Sequence, residues 1–142
     1  MNRLPIIIAI SISFLSLSVG GQNKYGMTLI REFISPDKNA PVIVLFGGNP
    51  DRMNEVVTII RDSLKRVTAV GNFSEEEGLT RLDNIKKVDL VLIGGRYTDA
   101  QRIRIRNYLK QHFPAVATTE PGYQYPYDNS EILRDIKKKL QF

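Results

Sequence analysis

From Pro41 onward the chain alternates short, unbroken apolar runs with longer stretches in which apolar residues recur every three or four positions. An unbroken run bounded by turn residues suits a strand buried on both faces, and the longer period suits a helix with one buried stripe. Pro41–Phe46 (PVIVLF), Arg66–Gly71 (RVTAVG), Val88–Ile93 (VDLVLI) and Pro114–Thr118 (PAVAT) predict four strands. Between them lie helical stripes: Met53, Val56, Val57, Ile60 and Leu64; then Leu79, Leu82 and Ile85; then Ile105, Tyr108 and Leu109. After the fourth strand a long turn, Thr119 to Asn129, leads to a last helix from Ser130 that buries Ile132, Leu133, Ile136 and Leu140. Before the first strand, Met27, Ile30, Phe33 and Ile34 share a helical face, so the segment Asn23–Asn39 predicts a helix ended by Ser35-Pro36, with a strand as the alternative.

Local signals fit these boundaries. Asn49-Pro50 reads as an N-cap followed by proline at the first helical position. Ser74 with Glu77 and Thr98 with Gln101 have the spacing of capping boxes. Lys137, Lys138 and Lys139 fall in the last turn of the final helix, where positive charge suits the helix dipole and the side chains stand in water. Strands alternating with helices imply parallel pairing through right-handed crossovers. The expected fold class is α/β: a three-layer sandwich over residues 24–142 around a four-stranded parallel sheet in the order 2-1-3-4.

The N-terminus has a different pattern. Arg3 precedes an uncharged run from Ile6 to Val19, and Gly20-Gly21 follows. A charged head, an apolar stretch and a small-residue exit describe a secretory signal peptide over residues 1–21. The run is short of the roughly 20 residues a membrane span needs, so no stable membrane insertion is expected after cleavage. The expected location is periplasmic or extracellular. An uncleaved N-terminal anchor is the alternative. Removing the leader takes Arg3 and lowers the net charge by one from +5. Without cysteine, disulfides, thiolate metal sites and cysteine nucleophiles are excluded, and one histidine excludes any two-imidazole site. No cofactor or metal is expected, and no nucleic-acid partner.

Candidate chemistry gathers at the carboxyl ends of the strands, where open α/β sheets bind ligands. The first and third strands both end in a glycine pair, Gly47-Gly48 and Gly94-Gly95, followed by Asn49 and Arg96. Neither loop matches a phosphate-binding glycine motif, and Asp51 and Asp99 in the following helical turns oppose an anion. Each pair equally serves as a tight turn. The fourth strand delivers Thr118 and Glu120 to the same edge, and Tyr123, Tyr125 and Tyr127 follow. Tyrosine joins a flat apolar face to a hydroxyl, which suits sugars, peptides and protein surfaces. The competing reading makes the tyrosines a rim of the core. Glu120 is expected to be a solvated turn residue, with acid–base chemistry as the lesser reading. Arg102, Arg106 and Lys110 form a basic stripe at i, i+4 and i+8, expected to face solvent or an anionic surface. His112 is expected to interact with the end of its helix, and Ile59 and Ile103 point away from their helices' inner faces.

Val88-Asp-Leu-Val-Leu-Ile-Gly94, preceded by Arg66-Val-Thr-Ala-Val70 and a Glu-rich helix and followed by Thr118, resembles response-regulator receiver domains over residues 41–120. The resemblance implies a flavodoxin-like fold. It also places Gly94 at the phospho-acceptor position and Gly47-Gly48 where receivers hold acidic metal ligands, while Thr118 matches the switch threonine. A helix replaces the segment carrying the receiver lysine, and no fifth strand is evident. The resemblance therefore speaks for the fold and against phosphotransfer.

The expected function is that of an exported, non-catalytic binding or interaction domain. Its surface would be the strand carboxyl edge, and its partner a protein, peptide or glycan of the cell envelope. The alternative is a small envelope hydrolase or transferase acting on a glycan or phosphorylated metabolite through Glu120 and Arg96. A third reading is an accessory subunit docking through Ile103 and the basic stripe.

Overall fold

A computed structural model describes Val19–Gln22 and residues 28–142. Most of the expected leader, residues 1–18, lies outside the described residues, as does Met27 of the predicted first helix.

Strands β1 (Val19–Gln22) and β2 (Thr28–Ile30) pair antiparallel as a separate two-stranded sheet, with Val19 opposite Ile30 and Gln22 opposite Thr28. β3 (Glu32–Phe33) then joins the main sheet. The helix predicted across this segment does not form over residues 28–39. Extended backbone wins because the edge of the main sheet has unpaired groups to offer. Glu32 and Phe33 pair antiparallel with Val70 and Ala69, and the Ile30 amide donates to Asn54 Oδ1 at 2.8 Å. Arg31 locks the register from both ends: its carbonyl accepts from the Gly71 amide at 2.8 Å, and its Nη2 donates to the Gly71 carbonyl at 2.8 Å. Ile30 and Phe33 pack on the core, while Ile34 is exposed.

The main sheet also contains β4 (Val42–Phe46), β5 (Thr68–Asn72), β6 (Leu90–Ile93) and β7 (Ala117–Thr119). It has five strands rather than four, in the order β3-β5-β4-β6-β7. All neighbours are parallel except the added edge strand β3. The helices are α1 (Pro50–Leu64), α2 (Glu75–Asn84), α3 (Asp99–His112) and α4 (Asn129–Leu140). The period-two alternation hidden inside the apolar runs separates two cores. Ile43, Leu45, Ala69, Leu90 and Leu92 pack with α1 and α4, whereas Val44, Phe46, Val70, Val91 and Ile93 pack with α2 and α3.

The caps follow the sequence signals in part. Asn49 Oδ1 accepts the Arg52 amide at the start of α1, and Thr98 with Gln101 completes a reciprocal box on α3. On α2, Ser74 Oγ accepts the Glu77 amide, but the Glu77 carboxylate turns to the Phe73 amide (2.7 Å) and to Arg31 (2.6 Å). Among the described residues no helix is long and apolar enough to cross a membrane.

Candidate functional site

β4 and β6 are neighbours whose chains continue into α1 and α3, so their carboxyl ends open into one crevice. The backbone of both glycine pairs extends the ladder: the Gly47 amide donates to the Asn72 carbonyl and the Gly94 amide to the Phe46 carbonyl, each at 2.8 Å. A methyl group on Gly47 would meet Met53 Cε at 2.9 Å, and one on Gly94 would meet the Phe46 carbonyl oxygen at 3.0 Å. The Phe46 backbone oxygen has little room to yield, so packing accounts for Gly94, whereas the flexible end of Met53 can move aside and leaves Gly47 unexplained by packing.

A cavity of about 290 Å³ occupies the crevice. Its apolar lining is Leu45, Phe46, Met53, Val56 and Leu92, and its loop lining is Gly47, Gly48, Asn49, Gly94 and Gly95. Arg52, Arg96, Tyr97 and Tyr127 complete it. No carboxylate or imidazole is among these lining residues. Tyr97 donates its hydroxyl hydrogen to the Gly47 carbonyl at 3.0 Å and meets the Phe46 ring edge-to-face. Burial, reinforced by the charges of Glu75 and Glu77, pushes the Tyr97 hydroxyl up to about 12, so it stays a neutral donor. Arg52 lies 4.6 Å over the Tyr127 ring and also pairs with Glu55.

Of the sequence candidates, Gly47, Gly48, Asn49, Gly94, Gly95, Arg96 and Tyr127 line this cavity, and Thr118, Glu120, Tyr123 and Tyr125 do not. Glu120 is a correction: it is fully buried, not solvated. Its Oε1 accepts from Arg102 at 2.7 Å and from Arg106 at 2.8 Å, and its Oε2 accepts from Arg106 Nε at 3.0 Å. Tyr123 covers the cluster, with its ring centre 4.5 Å from the Arg102 guanidinium and 5.1 Å from that of Arg106.

The solvated basic stripe is corrected by the same cluster. Arg102 is only 2% exposed, and Glu120 compensates both it and Arg106, leaving Lys110 of the three exposed. Arg102 also donates to the Gly94 carbonyl at 2.8 Å, so it braces the crevice from behind. The signal for this was present: Arg102 shares the i, i+3, i+7 stripe of Ile105 and Leu109, all three buried.

Tyr125 is half-buried against the core on the α1/α4 side, and its hydroxyl meets Thr119 Oγ1 at 2.5 Å. Thr119 Oγ1 in turn donates to Asp135 at 2.6 Å, and Asp135 pairs with Lys139 at 2.7 Å. Lys139 also donates to the Thr118 carbonyl at 2.6 Å, so one lysine of the expected solvated run is engaged. Burial pushes the Tyr125 hydroxyl up to about 12. His112 is exposed and stacks on Tyr108 with ring centres 4.3 Å apart.

The loop carrying the tyrosines reaches the crevice through two glycines. Gly122 adopts φ 80°, a left-handed conformation that favours glycine, and a methyl on it would come within 3.2 Å of Gly95 Cα. This close approach seats Tyr127 at the cavity. The sequence reads Arg52 and the apolar lining as helix or strand positions and gives no signal for Tyr97, which stands in the turn before Thr98, so none of them is a candidate there. Among the described residues no three His, Cys, Asp or Glu side chains group as a metal site.

No protein-family model, curated protein or solved structure matches this chain.

Proposed function

We propose that this chain is an exported binding domain of flavodoxin-like build, whose crevice at the carboxyl ends of β4 and β6 holds a compact ligand. The flavodoxin-like part is supported by the parallel strands, which run β5-β4-β6-β7, the pattern 2-1-3-4 with β3 added at the edge. The export part rests on the leader-like segment over residues 1–21.

The observation that carries the binding role is the cavity itself. It lies at the switch point of the sheet, it is lined mostly by apolar side chains, and a few polar groups converge on it. Its lining offers no carboxylate or imidazole to move a proton, and Glu120, the candidate acid, has both oxygens engaged by arginines. At about 290 Å³ the cavity suits a small molecule, or a single terminal group of a peptide or glycan.

The test is a ligand-observed NMR screen of small apolar and monoanionic compounds against the full-length chain and a Val56→Phe variant that fills the cavity. A subset of compounds is expected to show saturation transfer with the native chain and to lose it in the variant, which is expected to melt lower, Val56 being a core residue, but to keep a cooperative transition above the temperature of the screen. Equal responses from both proteins would place binding elsewhere and overturn the proposal.

A further inference from the structure

We propose that the crevice selects a small amphiphilic carboxylate, an aromatic or branched aliphatic body bearing one charge, and that Arg96 reads the charge. This rests on the binding role proposed above.

Ion pairing across the molecule singles out Arg96. Every other arginine from Arg31 onward has a carboxylate within ion-pair distance. Arg96 is exposed, lines the cavity, and has no ion-pair or hydrogen-bond partner among the described residues. The other cavity arginine, Arg52, is already compensated by Glu55 and held over Tyr127. An anion entering the crevice therefore meets one uncompensated guanidinium and no lining carboxylate. A guanidinium presents parallel N–H donors that match a carboxylate in bidentate fashion.

The rest of the lining narrows the ligand. Leu45, Phe46, Met53, Val56 and Leu92 call for an apolar body, and Tyr97 contributes no charge because its hydroxyl is already committed to the Gly47 carbonyl. At about 290 Å³ the crevice lies at the small end of ligand sites, which suits a compact body. Asp51, between the lining residues Asn49 and Arg52 in the first turn of α1, opposes any anion there, and a phosphate dianion about twice as strongly as a monoanionic carboxylate.

The experiment titrates the full-length chain with phenylacetate, its neutral isostere phenylacetamide, and phenyl phosphate, following the assigned Met53 methyl resonance. Phenylacetate is expected to shift Met53 saturably and to bind about tenfold more tightly than the amide, the size of one charge-assisted pair. Arg96→Gln is expected to erase that preference by weakening phenylacetate about tenfold more than the amide, with the melting temperature unchanged. Equal binding of acid and amide, or a preference that survives Arg96→Gln, overturns the charge-reading role while the cavity remains a binding site. Tighter binding of phenyl phosphate overturns the carboxylate assignment. No response of Met53 to any of the three overturns the binding role, and this inference with it.

Discussion

At the scale of single residues, the densest chemistry in the protein is Glu120 between two arginines. Both Glu120 and Arg102 are almost completely shielded, with side-chain exposures of 1% and 2%. A buried ion pair gains little over a well-packed apolar pair, but removing one partner strands a charge away from water and costs about 3–5 kcal/mol. Glu120→Leu strands Arg102 and half-buried Arg106 together. It is expected to destabilise the fold by that amount in urea denaturation. The double variant Glu120→Leu/Arg102→Met is expected to recover much of the loss, since only the more exposed Arg106 then lacks its partner. Equal destabilisation by the single and double variants would mean that the cluster matters for its shape and not for its charges. Because Arg102 also holds the Gly94 carbonyl, the single variant is further expected to perturb the crevice.

At the scale of elements, α2 shows how closely the layers fit. Gly78 faces the sheet, and a methyl placed on it would lie 2.0 Å from Phe46 Cε1. Helix propensity alone favours alanine over glycine by about 1 kcal/mol. Overpacking a filled core opposes this, at about 1–3 kcal/mol and occasionally more. Contact this close decides the sign: Gly78→Ala is expected to lower the melting temperature, and to shift the Phe46 ring and with it the cavity wall. A higher melting temperature would show that α2 slides freely on the sheet. The elements differ in how far the chain alone reveals them. α1, α3 and the strands β4 and β6 are legible because apolar period and cap signals agree. The segment holding β2 and β3 is not, because Ile30, Phe33 and Ile34 fit a helical face while Ile30 pairs with Val19 on β1 and the partners of Glu32 and Phe33 lie 38 and 36 residues away on β5. The crevice was legible through its paired glycines. The burial of Glu120 and Arg102 was not, because charge alone suggests solvent and only the shared stripe with Ile105 and Leu109 says otherwise.

At the scale of the whole molecule, the carboxylates set how stability depends on pH. Asp37, Glu75 and Asp135 all lie below their ordinary values of 3.8, 4.5 and 3.8. For Asp37 the leading cause is the Asn39 backbone amide, and for Glu75 the hydrogen bond from Arg104. For Asp135 burial acts the other way, and the hydrogen bonds from Lys139 and Thr119 overcome it. A carboxyl whose folded-state value is depressed contributes stability above its unfolded value and loses it as pH falls through the folded one. The denaturation midpoint is therefore expected to hold steady from pH 7 down to the ordinary carboxyl range and to fall below it. Protonation also adds to the net charge of +5, so self-repulsion steepens the fall. The side chains of Asp37 and Glu75 are 36% and 16% exposed, but their partners Arg66 and Arg104 stand more than half in water, so solvent screens both pairs. Asp135 and its partner Lys139 are only 20% and 30% exposed and tie α4 to β7 with Thr119, so this pair is screened least and carries most of the effect. Asp135→Asn is expected to lower stability at pH 7 and to shrink the difference in urea midpoint between pH 6 and pH 3. A variant whose acid limb matches the native one would assign the pH dependence to the exposed pairs, and would leave the α4–β7 link a matter of packing alone.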